Sequence, residues 1–394
     1  MRLLVVGLPG SVHLARALAP LRGLDWDVHV FPSTPAPITP FLEDVTFYDT
    51  SPGQGAGAHP SVRVDRRWDE SDLGADYPRV RTLRWRRRAA GWLAGVVASA
   101  RPDLVHAHEL QHGGYLTFDA RARLGRPGGF PPWIVSSWGA DLHWFGRDPR
   151  HRHRLEALMA ACDFLWAECD RDATIAQRFG FRGRLLPVLP IAGGFDLDEI
   201  ARLAVPGPAS RRRTIAVKGR EGWIYQGLNA MAALDRCQDL LGGYRLALYL
   251  PSPPVVEAAR RLSKVSGVRV DLVERVSHED LLGMHGRARV SISLAASDGI
   301  CTSFLEAMAM GAFPVQSSSA CADAWGRHGE QALFVPGDDP DAVAAAIRRA
   351  LTDDALVDRA QELNRRAVTS GLDRRCIARA VVETYRRVAA EVLV

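Results

Sequence analysis

Chemistry concentrates in one stretch of the chain, Ser297-Asp298-Gly299-Ile300-Cys301-Thr302-Ser303-Phe304-Leu305-Glu306-Ala307-Met308-Ala309-Met310-Gly311-Ala312-Phe313-Pro314-Val315. The apolar run Ile292 to Leu294 reads as a strand that empties into a loop carrying Asp298, Gly299 and Ile300. A helix then opens near Ser303. The backbone amides of Thr302, Ser303, Phe304 and Leu305 at its start, aided by the helix dipole, suit a diphosphate. Glu306, one turn into the helix, is expected to face the same cleft and accept hydrogen bonds from ribose hydroxyls. Asp298, at the carboxyl end of the strand, can accept from the hydroxyls of a sugar. A second loop of small residues, Gly7-Leu8-Pro9-Gly10-Ser11, follows the first apolar run, and at Gly10 and Ser11 backbone amides can approach a phosphate. It is not a G-x-G-x-x-G loop, so a nicotinamide-binding reading loses its main support.

These loops need strands and helices to hold them. Short apolar runs alternate with longer amphipathic segments along the whole chain, the pattern of parallel sheets wrapped by helices. In the first half the strands are Arg2 to Leu8, Asp27 to Phe31, Asp103 to Ala107, Trp133 to Ser137, Phe164 to Glu168 and Leu185 to Leu189. In the second they are Thr214 to Lys218, Tyr244 to Leu250, Val268 to Val273, Val290 to Leu294, Phe313 to Gln316 and Ala332 to Val335. Two similar α/β halves follow, with a turn-rich connection over 193–213 between a first domain, 1–192, and a second, 214–373. The region Pro32 to Tyr77, rich in Pro, Gly, Ser and Asp, reads as loop, a mobile flap on the acceptor side. From Arg374 to the end, Ile377, Val381, Tyr385, Val388 and Val392 recur at helical spacing, so 374–394 is expected to be a helix with one apolar stripe.

With 394 residues, 47% of them apolar and 24% charged, the chain has the composition of a soluble two-domain protein, and no apolar run near its start is long enough to span a bilayer. A cytoplasmic location is expected. The six cysteines form no C-x-x-C pair, which argues against a zinc site or a disulfide framework. The net charge of +5 gathers partly at Arg79, Arg81, Arg84, Arg86, Arg87 and Arg88, beside Trp85 and Trp92-Leu93-Ala94-Gly95-Val96-Val97. That is either a solvated arginine-rich helix or a weak peripheral contact with anionic lipid at the inner face of the membrane. No nucleic-acid-binding motif accompanies it. Oligomeric state is left open.

The stretch from Asp298 to Val315 resembles the E-x7-E signature of the retaining glycosyltransferases of family 4, in which two acids eight apart are followed by L-E-A-M-A-x-G-x-P-V. Here the first acid is Asp298, so the variant is D-x7-E. Other segments follow in the family's order. Val217-Lys218-Gly219-Arg220 resembles the V-G-R strand end, and Pro102 to His108 resembles the D-V-V-H-A-H strand. Ser136 to Asp141 resembles T-x-H-G-x-D, and Gly329 to Pro340 a structural strand and loop. The resemblance implies a GT-B fold: two Rossmann-like domains facing a central cleft, an acceptor-binding domain first and a nucleotide-sugar domain second, with the C-terminal helix packing back toward the first. Arg220 and Lys218 would neutralise the donor diphosphate, although Lys218 is alternatively a solvated strand end. His108, Trp138 and Asp141 would line the sugar or acceptor side. Each has a plainer reading: His106 and His108 as core residues, preferred for His106, Trp138 as a space filler, Asp141 as a helix cap. The family's His is replaced by Trp138, and its Lys by Gln226.

The implied activity is transfer of a sugar from a nucleotide-diphosphate sugar to a hydroxyl acceptor (a glycan, a lipid-linked saccharide or a small natural product) with retention of configuration. Arg220, Lys218 and Asp298 would be its catalytic residues, and neither a metal nor a cofactor is required. No D-x-D triplet or histidine-carboxylate cluster stands out. Domain closure about Pro190 to Arg213 would exclude water. Two other readings share the architecture: a nucleotide-sugar epimerase or hydrolase, and a degenerate sugar-nucleotide or glycan-binding scaffold. The second is motivated by the replacements at Asp298, Trp138 and Gln226.

Overall fold

The computed structural model describes residues 1–68, 78–125, 129–274 and 276–392, without the side chains of 78–83. Its chain forms two compact units, Met1–Gly193 with Ile377–Val394, and Gly194–Cys376. No helix among the described residues is long and apolar enough to cross a membrane.

The first unit is built on eight parallel strands: β1 Arg2–Gly7, β2 Asp27–Pro32, β3 Thr46–Tyr48, β4 Arg63–Asp65, β5 Leu104–His108, β6 Trp133–Ser137, β7 Phe164–Ala167 and β8 Arg184–Leu185. Their order, β4-β3-β2-β1-β5-β6-β7-β8, reverses direction between β1 and β5. In an open parallel sheet such a reversal opens a crevice beyond the carboxyl ends of the two strands. Here those ends are Gly7 and His108.

Strands β3 and β4 correct the loop reading of Pro32 to Tyr77. At three residues each they are too short to show a period, and pairing with β2 and with each other makes them strands. Of that region, 69–77 lies outside the described residues. The arginine-rich stretch is a helix, Pro78–Ala100, whose apolar face is occupied: Trp85, Trp92, Leu93, Val96 and Val97 lie in the unit's core, and the Trp85 indole donates to Thr50 Oγ1 at 2.9 Å. Arg84, Arg86, Arg87 and Arg88 are exposed, while the aromatic and apolar side chains beside them, Trp85, Trp92 and Leu93, are taken up by the core. Arg79 and Arg81 lie outside the described side chains.

The C-terminal helix, Arg374–Val392, buries Ile377, Val381, Tyr385 and Val388. Tyr385 fixes it to the sheet of the first unit. Its hydroxyl lies 2.6 Å from His106 Nδ1, while His106 Nε2 lies 2.6 Å from Ser136 Oγ. Burial, with His108 adjacent, holds His106 well below the usual histidine range, so the ring is neutral and divides one donor and one acceptor between the two hydroxyls.

The second unit has six parallel strands: β9 Thr214–Lys218, β10 Arg245–Tyr249, β11 Arg269–Val273, β12 Ala288–Ser293, β13 Phe313–Ser317 and β14 Leu333–Val335. Their order is β11-β10-β9-β12-β13-β14, so the reversal falls between β9 and β12. The stretch preceding β9 contains a helix, Leu197–Leu203, and is bonded into this unit: the Ala209 amide donates to Gln361, and that of Ser210 to Asp358. Buried Arg212 donates to the carbonyls of Ala288 and Met310.

Replacing Tyr385 by Phe leaves one ring nitrogen of buried His106 unpaired, at a cost of about 1–3 kcal/mol. Urea unfolding should show a lowered midpoint with an unchanged slope. An unaltered midpoint would remove this contact from the account of what holds the helix.

Candidate functional site

In the second unit, the loops that leave β9 and β12 are clipped together. Gln226 donates its amide to Leu294 O at 3.2 Å, Ala296 donates to Ile224 O at 2.7 Å, and Gly227 closes the turn on Arg220 O at 2.9 Å. Tyr225 is thereby held where its ring meets two cations. Lys218 Nζ is 5.4 Å and Arg220 Cζ 5.2 Å from the ring centroid, and Arg220 donates to the Tyr225 hydroxyl at 3.3 Å. Burial pulls the Lys218 ammonium down. The acidic groups around it, Cys301, Tyr249, Asp298 and Tyr225, outweigh burial and leave it above the usual lysine range. A fixed positive charge therefore stands beside Cys301, the residue that caps helix Thr302–Met310.

That helix start differs from the sequence expectation. Cys301 provides no side-chain cap, but its carbonyl accepts from the amides of Phe304 at 2.9 Å and Leu305 at 3.2 Å. Phe304 and Leu305 are 2% exposed, and Phe304 packs on Phe334. Both are core residues, and the amides left for an anion are those of Thr302 and Ser303. Glu306 departs from expectation too. Its side chain is 4% exposed rather than open, with His278 Nε2 at 3.1 Å from Oε1 and His285 Nε2 at 3.9 Å from Oε2. Asp298 and Ile300 are half-buried and Gly299 is buried. Gln226 turns inward: its Oε1 is buried without a partner, 2.4 Å from where a Cβ on Gly337 would stand.

The first unit gathers a separate cluster at the ends of β1 and β5. Ser11 spends its hydroxyl on the Leu14 amide, 3.3 Å away, as the cap of helix Val12–Leu18, while Gly10 is exposed. His108 is fully buried and both of its ring nitrogens lack a partner among the described residues. Its ring lies 4.0 Å from His106 and 5.8 Å from Trp138, and burial pushes its pKa down to about 3. Trp138 also meets His13, edge to face at 6.1 Å. Asp141 caps its own turn, accepting the Trp138 amide at 2.5 Å. Burial pushes its carboxyl up, with Asp172 adding to the effect.

Glu109 is the residue that sequence reasoning missed. It follows β5 directly, with φ at +66°, a left-handed conformation that costs a non-glycine residue energy. The turn Glu109–Gly114 that it opens presses onto the sheet so closely that a Cβ at Gly113 would stand 2.4 Å from His108 O and 2.5 Å from Val6 O. Glu109 Oε2 is buried without a partner, and Oε1 is 3.5 Å from His112 Nε2. Burial raises the Glu109 carboxyl strongly, and neighbouring Asp141 raises it further. The available signal was an acid immediately after the H-x-H strand end.

Residues 228–353 match the family model Glycosyl transferases group 1. No curated protein matches the chain by sequence. Solved structures match it over nearly its whole length. Sucrose-phosphate synthase from Thermosynechococcus elongatus superposes with a TM-score of 0.72 at 18% identity, covering 99% of this chain and 100% of that one. An α,α-trehalose 6-phosphate synthase from Burkholderia multivorans gives 0.68 at 16% identity, covering 99% of each. Anabaena HepE in complex with UDP and glucose gives 0.67 at 15%, covering 98% of this chain and 100% of that one. The fold is GT-B. Within this GT-B chain, the matched family model covers the helix Thr302–Met310, Asp298 and Glu306; Lys218 and Arg220 precede it.

Because the Glu109 and Asp141 carboxyls are raised in the folded state, the folded chain retains protons that the unfolded chain has released once pH exceeds the ordinary carboxyl range. Their contribution to stability is full below that range and lost as pH rises through the folded values. Thermal unfolding from about pH 5 to about pH 9 should therefore show a fall that Glu109→Gln flattens. Parallel curves for the two proteins would refute a raised Glu109.

Proposed function

We propose that the protein is a glycosyltransferase that moves a sugar from a nucleotide-diphosphate sugar to a hydroxyl acceptor, retaining anomeric configuration and needing no metal. The observation that carries this reading is the placement of Lys218 and Arg220 about one ring, with Lys218 beside the uncapped start of helix Thr302–Met310. Two cations and two outward amides at a strand-order reversal suit a diphosphate better than any other common ligand. Glu306 supports the nucleoside end of the donor and Asp298 the sugar. The family model over 228–353 agrees, as do GT-B structures solved in complex with UDP and with UDP-glucose.

In the transfer, the bond between the anomeric carbon and the diphosphate oxygen breaks, and the acceptor oxygen bonds to the same face. The acceptor's proton passes to the departing phosphate oxygen. No protein nucleophile is involved. Lys218, Arg220 and the amides of Thr302 and Ser303 stabilise the negative charge that grows on the leaving group, a preorganised arrangement that needs no movement during reaction. Gln226 supplies no charge where the family has lysine, and Lys218 meets that need, which weakens the case for a degenerate scaffold. The acceptor is assigned to the first unit, where the His108 ring nitrogens and Glu109 Oε2, without a partner among the described residues, call for hydroxyl partners.

With UDP-glucose as the first donor to test, Arg220→Ala and Lys218→Ala should each lower kcat for transfer or donor hydrolysis by about 10²–10³-fold, the loss typical of a single charge-stabilising group. Glu306→Ala should mainly weaken UDP binding, read by calorimetry. Full turnover in both cation variants would overturn the site assignment, and an inverted product by NMR would overturn retention.

A further inference from the structure

Glu306 carries a carboxylate that is 4% exposed, and a buried carboxylate needs donors. Of the two imidazoles around it, only one provides a hydrogen bond. His285 Nε2 stands 3.9 Å away, beyond bonding distance, and both of its ring nitrogens are buried without hydrogen-bond partners among the described residues. Burial, with further lowering by His278 and Lys218, takes His285 down to about 4, so it is neutral and packs edge-on against Tyr249 at 5.4 Å. It fills space. His278 Nε2, at 3.1 Å from Oε1, does the bonding.

His278 is also well placed to hold still. It is the first residue of helix His278–Arg287, whose start is capped by Ser277 accepting from the Asp280 amide at 3.0 Å. That helix packs against Thr302–Met310. The His278 side chain is 28% exposed, so its removal opens no core cavity. A carboxylate offers about four lone-pair positions; with one taken by His278, the remainder suffice for a vicinal diol.

We propose that His278 is a positioning residue for the nucleoside: its Nε2–H fixes the rotamer in which Glu306 receives the 2′- and 3′-hydroxyls of the donor ribose. The inference rests on the nucleotide-sugar reading above. It assigns His278 to the half of the donor that Glu306 touches and predicts no effect on the diphosphate half.

The test is calorimetric titration of the full chain with UDP, ADP and GDP, then with the 2′,3′-dideoxy form of whichever binds and with inorganic pyrophosphate. His278→Ala should weaken the nucleoside diphosphate about tenfold, the loss of one hydrogen bond to a charged group. His278→Gln, which keeps a donor at similar reach, should recover most of it. The dideoxy ligand should bind wild type weakly and lose nothing more in His278→Ala, and pyrophosphate should bind both equally. Equal affinity of wild type and His278→Ala for the nucleoside diphosphate overturns the inference alone. So does a loss shared by the dideoxy ligand and pyrophosphate, or failure of His278→Gln to rescue while its melting temperature is that of wild type. Absence of binding by wild type to all three diphosphates overturns the nucleotide-sugar reading, and this inference with it.

Discussion

Lys218 ends an inner strand of the second sheet with its ammonium partly buried, and a cation so placed is stable only where negative charge or electron-rich surface surrounds it. The chain supplies that surface locally. Tyr225 offers its ring face, Asp298 its carboxylate, and Tyr249 and Cys301 their dipoles. They come from three places, the loop after β9, the end of β10 and the loop after β12, so the charge and the packing around it depend on one another. The strand-order reversal between β9 and β12 is what leaves room there. That charge stands beside Cys301, at the start of the helix Thr302–Met310.

The same economy governs the polar groups behind the site. Buried Arg289 donates to the carbonyls of Ala350 and Ser210 and pairs with Asp354 at 2.7 Å. Arg212 reaches two further carbonyls, and its pKa is lowered to about 10 by burial, with Arg365 adding to the fall. These guanidiniums satisfy backbone oxygens that a parallel sheet cannot reach, and they tie the segment before β9 to the helix Asp354–Gly371 and its neighbours. The helix Thr302–Met310 thus sits on a framework fixed by charge-assisted bonds as well as by apolar packing.

The first unit solves a different problem. His106, between Tyr385 and Ser136, is fully partnered, whereas His108, two residues on and pointing to the same face of the strand, has no hydrogen-bond partner among the described residues. Alternation along one strand would put both rings on one side, and they do lie 4.0 Å apart. One anchors the C-terminal helix; the other lies edge to face with Trp138. The strain at Glu109 and the tight seat of Gly113 show that this turn is held by the sheet and not by its own preferences.

Much was legible from residue order alone. Eleven of the strands named from apolar runs stand where expected within a residue or two, since a buried parallel strand is a continuous apolar run and needs no partner to be recognised. Leu185 to Leu189 shrank to Arg184–Leu185 because Pro187 and Pro190 have no amide to donate. The helix after Asp298 was equally legible, because strand, loop and helix are contiguous. Five features were decided only by tertiary structure. Strands β3 and β4 exist through pairing with β2. Trp85 and Trp92 turned into the core, which only the location of the sheet could dictate. Phe304 and Leu305 were expected to offer amides and instead donate them to the Cys301 carbonyl, because the first turn of the helix packs both side chains inward. The partnership of Glu306 with His278 joins residues 28 apart in sequence, and Glu109 owes its raised carboxyl first to burial and then to Asp141, in the short helix Ala140–His143 after β6. Sequence specifies which groups can do chemistry; which of them are desolvated, and by whom, is settled where distant segments meet.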